Sequence, residues 1–376
     1  MSVTVQAVLD SLSRIPGPDG RTPLDRSPAL SEIVVQGDKV MFSIAIDPRR
    51  AAEFEPMRRA AAAAVGHIAG VASALVSLTA EQPAKATAPA HDHGHGHAHR
   101  RPAQPSADDK KLPGVTHIVA VASGKGGVGK STTAANFALA LQALGLKVGL
   151  LDADIYGPSV PRLFNVHGQP EVSDDEKLIP KQPFGLKVMS IGFLVDEEAP
   201  MVWRGPMAMS AVTQLLRDVA WAPLDVLVVD MPPGTGDAQL TLAQNVPISG
   251  AVIVSTPQDL ALIDARRGIS MFQKVQVPIL GVIENMSYFV CPNCGSRHDI
   301  FAHGGARAEA ERLGVKFLGE IPLTMDIRER SDSGRPIVVS APDSPQTAIY
   351  LSIASAVWEQ LSSGTHIKPA PSIVIE

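Results

Sequence analysis

The stretch Gly124-Lys125-Gly126-Gly127-Val128-Gly129-Lys130-Ser131 constrains this chain most, because G-x-x-x-x-G-K-[ST] specifies a backbone loop as well as a set of side chains. Its glycines let successive backbone N–H groups turn inward around nucleotide phosphates. Lys130 reaches the terminal phosphates, and Ser131, followed by Thr132, offers a hydroxyl to Mg2+. Such a loop needs a strand before it and a helix N-terminus after it. Residues 117–122 are a short β-branched run that reads as a buried strand, and residues 131–144 carry Phe137, Leu141 and Leu144 at helical spacing. A second lysine, Lys125, stands near the start of the loop and narrows the family.

Beyond this loop, short apolar runs at 147–151, 226–229, 251–255, 279–283 and 315–318 alternate with helical stretches. Runs of this kind read as buried parallel strands. The pattern predicts an α/β fold, a doubly wound, mostly parallel sheet of the P-loop NTPase type over residues 113–363, with ligands at the carboxyl ends of the strands. Ile349, Ile353, Val357 and Leu361 recur every four residues, which predicts a helix over 347–361 packed on the sheet; no Lys/Arg face suits it to a membrane surface.

Residues 1–81 read as a small α/β module, with helices at 5–12 and 51–68, strands at 33–37 and 39–46, and a last strand at 71–78. Residues 82–112 are rich in Pro, Ala and His without an amphipathic period, so they bury too little surface to offset chain entropy and are predicted to be a flexible linker. Its alternating His91, His93, His95, His97 and His99 read as a solvated spacer or as a weak divalent-metal tract. Residues 364–376 form a C-terminal tail.

The 376 residues are 45% hydrophobic with a mean hydropathy of +0.11, as a globular chain should be. A net charge of -5 without a basic block argues against nucleic acid as the main partner. No run of 18 apolar residues suits a membrane span, and no basic region followed by an apolar core suggests a secretory signal, so a cytoplasmic location is expected. Only two cysteines occur, Cys291 and Cys294, spaced C-x-x-C. In a reducing compartment such a pair points to metal or redox chemistry.

Three acidic residues fall where nucleotide hydrolysis needs them. Asp230 ends the apolar run 225–229, which puts its carboxylate at the active edge of the sheet as a Walker B ligand to the Mg2+ shell. Asp152 and Asp154 close another strand, and one of them orients water for attack on the γ-phosphate. The Pro232-Pro233-Gly234-Thr235-Gly236 loop after Asp230 brings N–H groups to that phosphate and moves when it leaves.

Together with Leu151-Asp152-Ala153-Asp154-Ile155-Tyr156-Gly157-Pro158-Ser159, Trp203-Arg204-Gly205-Pro206-Met207 and Glu284-Asn285-Met286-Ser287, these motifs resemble the Mrp/ApbC iron-sulfur cluster carriers. Those carriers are deviant-Walker, MinD/ParA-like ATPases. The resemblance covers about residues 113–363. It implies slow ATP hydrolysis, a homodimer in which Lys125 reaches the partner's nucleotide, a hydrolytic role for Asp154 and an adenine contact for Asn285. It also implies a [4Fe-4S] cluster at Cys291 and Cys294 that passes to apo iron-sulfur proteins, with neither nucleic acid nor membrane as partner. Residues 1–81 resemble the MIP18-like module that often precedes this ATPase. Where many such modules have a cysteine before the second helix, this chain reads Glu53-Phe54-Glu55-Pro56-Met57, which excludes a thiol role there.

The cysteine count bears on the dimer independently. A [4Fe-4S] cluster normally takes four thiolates, as does a thiolate-only structural zinc site. One chain supplies two. Unless His298 or His303 completes a mononuclear site, the metal sits between two subunits, as cluster or as zinc knuckle. A zinc-stabilised nucleotide switch and a MinD/ParA-type spatial organiser are the rival readings. Lys130→Ala is expected to weaken nucleotide binding, whereas Lys125→Ala should keep binding and abolish hydrolysis. Titrations with nucleotide and phosphate-release assays on both variants check this, and equal loss of binding would refute the cross-subunit role.

Overall fold

Two sheets organise the chain in the computed structural model, which describes residues 3–47, 50–79, 111–194 and 205–363. The linker histidines, Trp203-Arg204 and the tail fall outside the described residues. Residues 3–79 and 205–211, where described, make one unit, and residues 111–194 with 212–363 make the other.

In the first unit, α1 (Val5–Leu12) is followed by β1 (Val34–Gln36), β2 (Lys39–Ala45), α2 (Ala51–Gly66) and β3 (Ser73–Thr79). β1 pairs antiparallel with β2 across a tight turn, and β2 pairs parallel with β3. The crossover helix α2 closes a core containing Val8, Leu12, Phe42, Ile44, Val65 and Val76. Glu53–Met57 lies within α2 rather than before it. The alanine-rich stretch carries the helix through Pro56, and Phe54 and Met57 pack against the core.

The second unit begins with β4 (Val115–Ala122), α3 (Lys130–Ala143), β5 (Val148–Asp152), α4 (Val160–Phe164) and β6 (Lys187–Ser190). There follow α5 (Gly205–Arg217), whose residues 205–211 count with the first unit, then β7 (Leu224–Asp230), α6 (Asp237–Asn245), β8 (Gly250–Ser255), α7 (Asp259–Lys274) and β9 (Ile279–Val290). The chain continues through β10 (Arg297–His298), α8 (Gly305–Leu313), β11 (Phe317–Leu323), α9 (Met325–Asp332), α10 (Ile337–Ser340) and α11 (Pro345–Ser362). The strand order β9-β8-β4-β7-β5-β6 is parallel throughout; β11 adds parallel to β9, and β10 folds back antiparallel on its far end. β5, β7 and β8 are buried nearly end to end, as strands covered by helices on both faces must be.

α3 follows the glycine loop and is buried on most of its surface, because α11 covers the side turned away from the sheet. Small alanines at 134, 135, 138 and 140 permit that close approach. Phe137 and Leu141 are buried as their spacing predicts, but Leu144 lies past the helix end and is exposed. On α11, Ile353, Val357 and Leu361 are buried while Ile349 is only half-buried, and Tyr350 takes the inward position. A strict four-residue repeat overshoots the helical turn by about 0.4 residue, so its first member drifts off the buried face.

β9 is far longer than the run 279–283 that predicts it, and β6 and β10 have no counterpart in the sequence reading. Among the described residues no helix is long and apolar enough to cross a membrane. Phe137→Ala, which empties a fully buried site between α3 and its neighbours, is expected to cost about 3–5 kcal/mol. Urea unfolding checks this through a lower midpoint at unchanged slope.

Candidate functional site

The carboxyl ends of β4, β5 and β7 converge on one cavity of about 240 Å³, lined by Lys125, Gly126, Lys130, Asp154, Ser159 and Pro233 among others. The loop after β4 reaches it by adopting left-handed backbone at Gly127 (φ 80°) and Gly129 (φ 79°). Only glycine adopts this cheaply. At Gly129 a Cβ would also overlap the Asn285 amide.

Lys130 opens α3, and its Nζ donates to Asp230 Oδ1 at 2.5 Å, with both side chains buried. Ser131 Oγ lies 3.3 Å from the same Nζ. The other Asp230 oxygen is buried without a hydrogen-bond partner. The Asp230 carboxylate and the Ser131 hydroxyl, both bonded to the Lys130 ammonium, are hard-oxygen donors that fit Mg2+, and the glycine loop with Lys130 fits a polyphosphate.

The structure separates the two aspartates that the sequence leaves equivalent. Asp152 is fully buried and structural: Oδ1 accepts from Asp154 N–H at 3.1 Å, and Oδ2 from Val160 N–H at 3.1 Å and Ser190 Oγ at 3.0 Å. Both ends of the 154–160 loop thus hang on one carboxyl group. Burial, and then the Asp230 carboxylate on the neighbouring strand, push it up to about 7, against the bonds and the Lys130 charge that favour its anion. Asp154 instead lines the cavity; burial raises its carboxyl above the usual range, opposed by Lys130.

Gln239 was not singled out by the sequence. Buried on α6, it donates to Pro232 O at 2.7 Å and ties down the loop after Asp230. Gly234 N–H bonds Ser123 O at 3.2 Å, and Pro233 faces the cavity. Asn285, predicted to touch adenine, is buried on β9 and donates to the Val128 carbonyl at 2.8 Å, bracing the phosphate loop. A bond between residues 157 positions apart leaves no local signal.

The cysteines lie where β9 ends and turns toward β10. Gly295 N–H bonds Cys291 O and Cys291 N–H bonds Ser296 O, each at 2.9 Å, closing a tight turn. Both thiols are free, Cys291 half-buried and Cys294 exposed. Cys294 Sγ is hydrogen-bonded to Ser296 Oγ at 3.3 Å; this bond, with those from the Ser296 backbone and Cys291, lowers its thiol below the ordinary value. His303 is engaged elsewhere, 3.0 Å from Glu320 Oε2, and His298 is exposed opposite Phe289. Against burial, which raises it, the bonds from His303 and Arg307 hold the Glu320 carboxyl low. Among the described residues no group of three or more His, Cys, Asp or Glu side chains is arranged to hold a metal ion. Glu284, fully buried, accepts from Ser287 Oγ (2.7 Å), Gly304 N–H (3.0 Å) and Ala306 N–H (2.7 Å), anchoring the returning chain at the start of α8.

A phosphate-binding loop between β4 and α3, a strand-end aspartate on β7 and a parallel sheet define a P-loop nucleoside triphosphatase of the MinD/ParA type. A MinD cell-division ATPase from Pyrococcus furiosus shares the fold at TM-score 0.50 and 22% identity, over 65% of this chain and 98% of that one. The family described as NUBPL iron-transfer P-loop NTPase matches residues 114–358, and the chain belongs to it. Residues 5–77 match a second family, described as iron-sulfur cluster assembly protein. An Arabidopsis thaliana mitochondrial iron-sulfur protein required for NADH dehydrogenase is 59% identical over 67% of this chain and 80% of its own length. The iron-sulfur cluster carrier protein of Escherichia coli is 55% identical over 66% and 68% respectively. A nucleotide-binding protein from Archaeoglobus fulgidus, solved with ADP and cobalt, aligns at TM-score 0.57 and 40% identity over 65% of this chain and 95% of that one.

The Asp152 carboxyl holds its proton to higher pH in the folded state than in the unfolded chain. Its contribution to stability is full below about pH 4 and is lost as pH rises through about 7. Nucleotide-free protein is therefore expected to lose stability across that window, and Asp152→Asn to flatten the slope, measured as urea midpoints at successive pH values.

Proposed function

We propose that this protein is an ATP-binding, ATP-hydrolysing iron-sulfur cluster carrier that assembles a [4Fe-4S] cluster between two copies of the chain and passes it to apo-proteins. The observation that carries the reading is the exposed C-x-x-C turn at one end of a strand whose middle braces the phosphate loop. Relatives named as iron-sulfur cluster carriers support the cargo. Two free thiols without a third protein ligand among the described residues support sharing between subunits. A reducing, cytoplasmic setting suits thiols kept free.

Ser131 and Asp230 would hold Mg2+, which supplies charge neutralisation on the β- and γ-phosphates when bound. The phosphate loop orients the nucleotide through backbone N–H groups, and Lys130 supplies positive charge from the buried side. Asp154 positions water for hydrolysis, and Asn285 holds the loop and contacts the adenine. Lys125 lines the cavity, and no ion-pair partner is described for its side chain, as a group reserved for a second subunit's nucleotide requires. The two lysines neutralise transition-state charge from opposite subunits.

Anaerobic reconstitution with iron and sulfide is expected to give a coloured dimer holding one cluster per two chains and able to activate apo-aconitase. Cys291→Ser should lose both colour and dimer. A colourless product that fails to activate overturns the carrier role, and zinc in place of iron in protein purified without oxygen would support a zinc-stabilised switch instead.

A further inference from the structure

A serine immediately before a helix ordinarily caps it, its oxygen accepting from N–H groups two or three residues on. Ser159 stands at that position before α4 and makes no such bond. Pro161, two residues on, has no N–H to give. The Val160 N–H is already donated to Asp152 Oδ2 at 3.1 Å. The Ser159 backbone is helical (φ -108°, ψ -17°), not the extended geometry in which a cap oxygen turns back toward the helix. Its hydroxyl oxygen is buried, and no hydrogen-bond partner satisfies it. Folding disfavours such an atom unless a ligand offsets the lost hydration.

The cavity identifies that ligand. Ser159 lines it together with Lys125, Lys130, Ser131 and Asp154. The glycine-loop N–H groups serve the inner phosphates of a nucleotide. What the 154–160 segment adds therefore falls to the terminal one. The segment is held at its two ends by Asp152, through Asp154 N–H and Val160 N–H, and Asp152 is in turn held by Ser190 Oγ, which accepts from Gly192 N–H at 3.1 Å. A rigid support for a short loop is what a directional contact requires.

We propose that the Ser159 hydroxyl donates a hydrogen bond to the γ-phosphate, so that the 154–160 loop distinguishes a nucleoside triphosphate from its diphosphate. The proposal rests on the nucleotide reading above. A hydrogen bond to an ionised phosphate oxygen is short and strong, and its loss weakens binding on the order of tenfold.

Isothermal titration with Mg-AMPPNP and Mg-ADP tests it on the full chain. Ser159→Ala is expected to weaken AMPPNP binding about tenfold and to leave ADP binding within about twofold. Ser159→Thr, which keeps the hydroxyl, should restore the preference for AMPPNP. Unchanged ADP binding also reports that the variant is folded. An equal loss for both nucleotides, or no loss for either, overturns the proposal. Wild-type protein that binds neither nucleotide overturns the nucleotide reading itself, and this proposal with it.

Discussion

Lys130 and Asp230 meet at 2.5 Å with almost no solvent access, and each is present in the interior only because the other is. An ion buried without its partner costs several kcal/mol, so the pair is held by mutual need as much as by attraction. Its geometry follows from the sheet. Val121 on β4 pairs with Asp230 on β7, and the loop after β4 brings Lys130 back over that junction. Asp152 on β5 pairs with Asp230 on its other side, which leaves two buried carboxyl groups beside one ammonium. Burial first, and then this imbalance, push Asp152 up to about 7 while hydrogen-bond donors surround it. In the site proposed above, the Asp230 oxygen with no hydrogen-bond partner is the one free to take Mg2+ beside Ser131.

What the sequence made legible was whatever local pattern controls. The β-branched runs mark β4, β5, β7 and β8 because strands covered on both faces need little else, and the glycine-lysine pattern marks the loop because its backbone tolerates few alternatives. β6 is four residues long, too short to carry a period, and β10 is two. β9 extends beyond its apolar run because Glu284, Asn285 and Ser287 are buried as polar residues: Glu284 and Asn285 bond atoms 20 or more positions away, and Ser287 bonds the buried Glu284 carboxylate. Asp152 and Asp154 could not be told apart for the same reason. Two residues apart on a strand end, they differ only in that Ser190 and Val160 close over the first, while the second is left facing the cavity.

Two of the segments that touch the phosphate loop differ in where they lead. The loop after Asp230 is the one its Pro-Pro-Gly sequence recommends, but its bonds stay beside the site: Met231 to Val121 and Gly234 to Ser123 at the end of β4, and Pro232 to Gln239 on α6. β9 leaves the site. Its pairing with β8 stops at Glu284, where the buried carboxylate clamps the start of α8. The next two residues touch the phosphate loop, Asn285 through Val128 O and Met286 beside Gly129, and Met286 takes a positive φ of 54° where the strand turns away. Cys291 follows six positions after Asn285, just past the end of β9. β9 is held along this stretch by β11, whose Ile321 and Leu323 pair with Asn285 and Phe289, so the strand that touches Val128 continues, paired, toward the cysteine turn. One hydrogen-bonded strand thus runs from the phosphate loop to the cysteine turn, whereas the bonds of the proline loop stay beside the site.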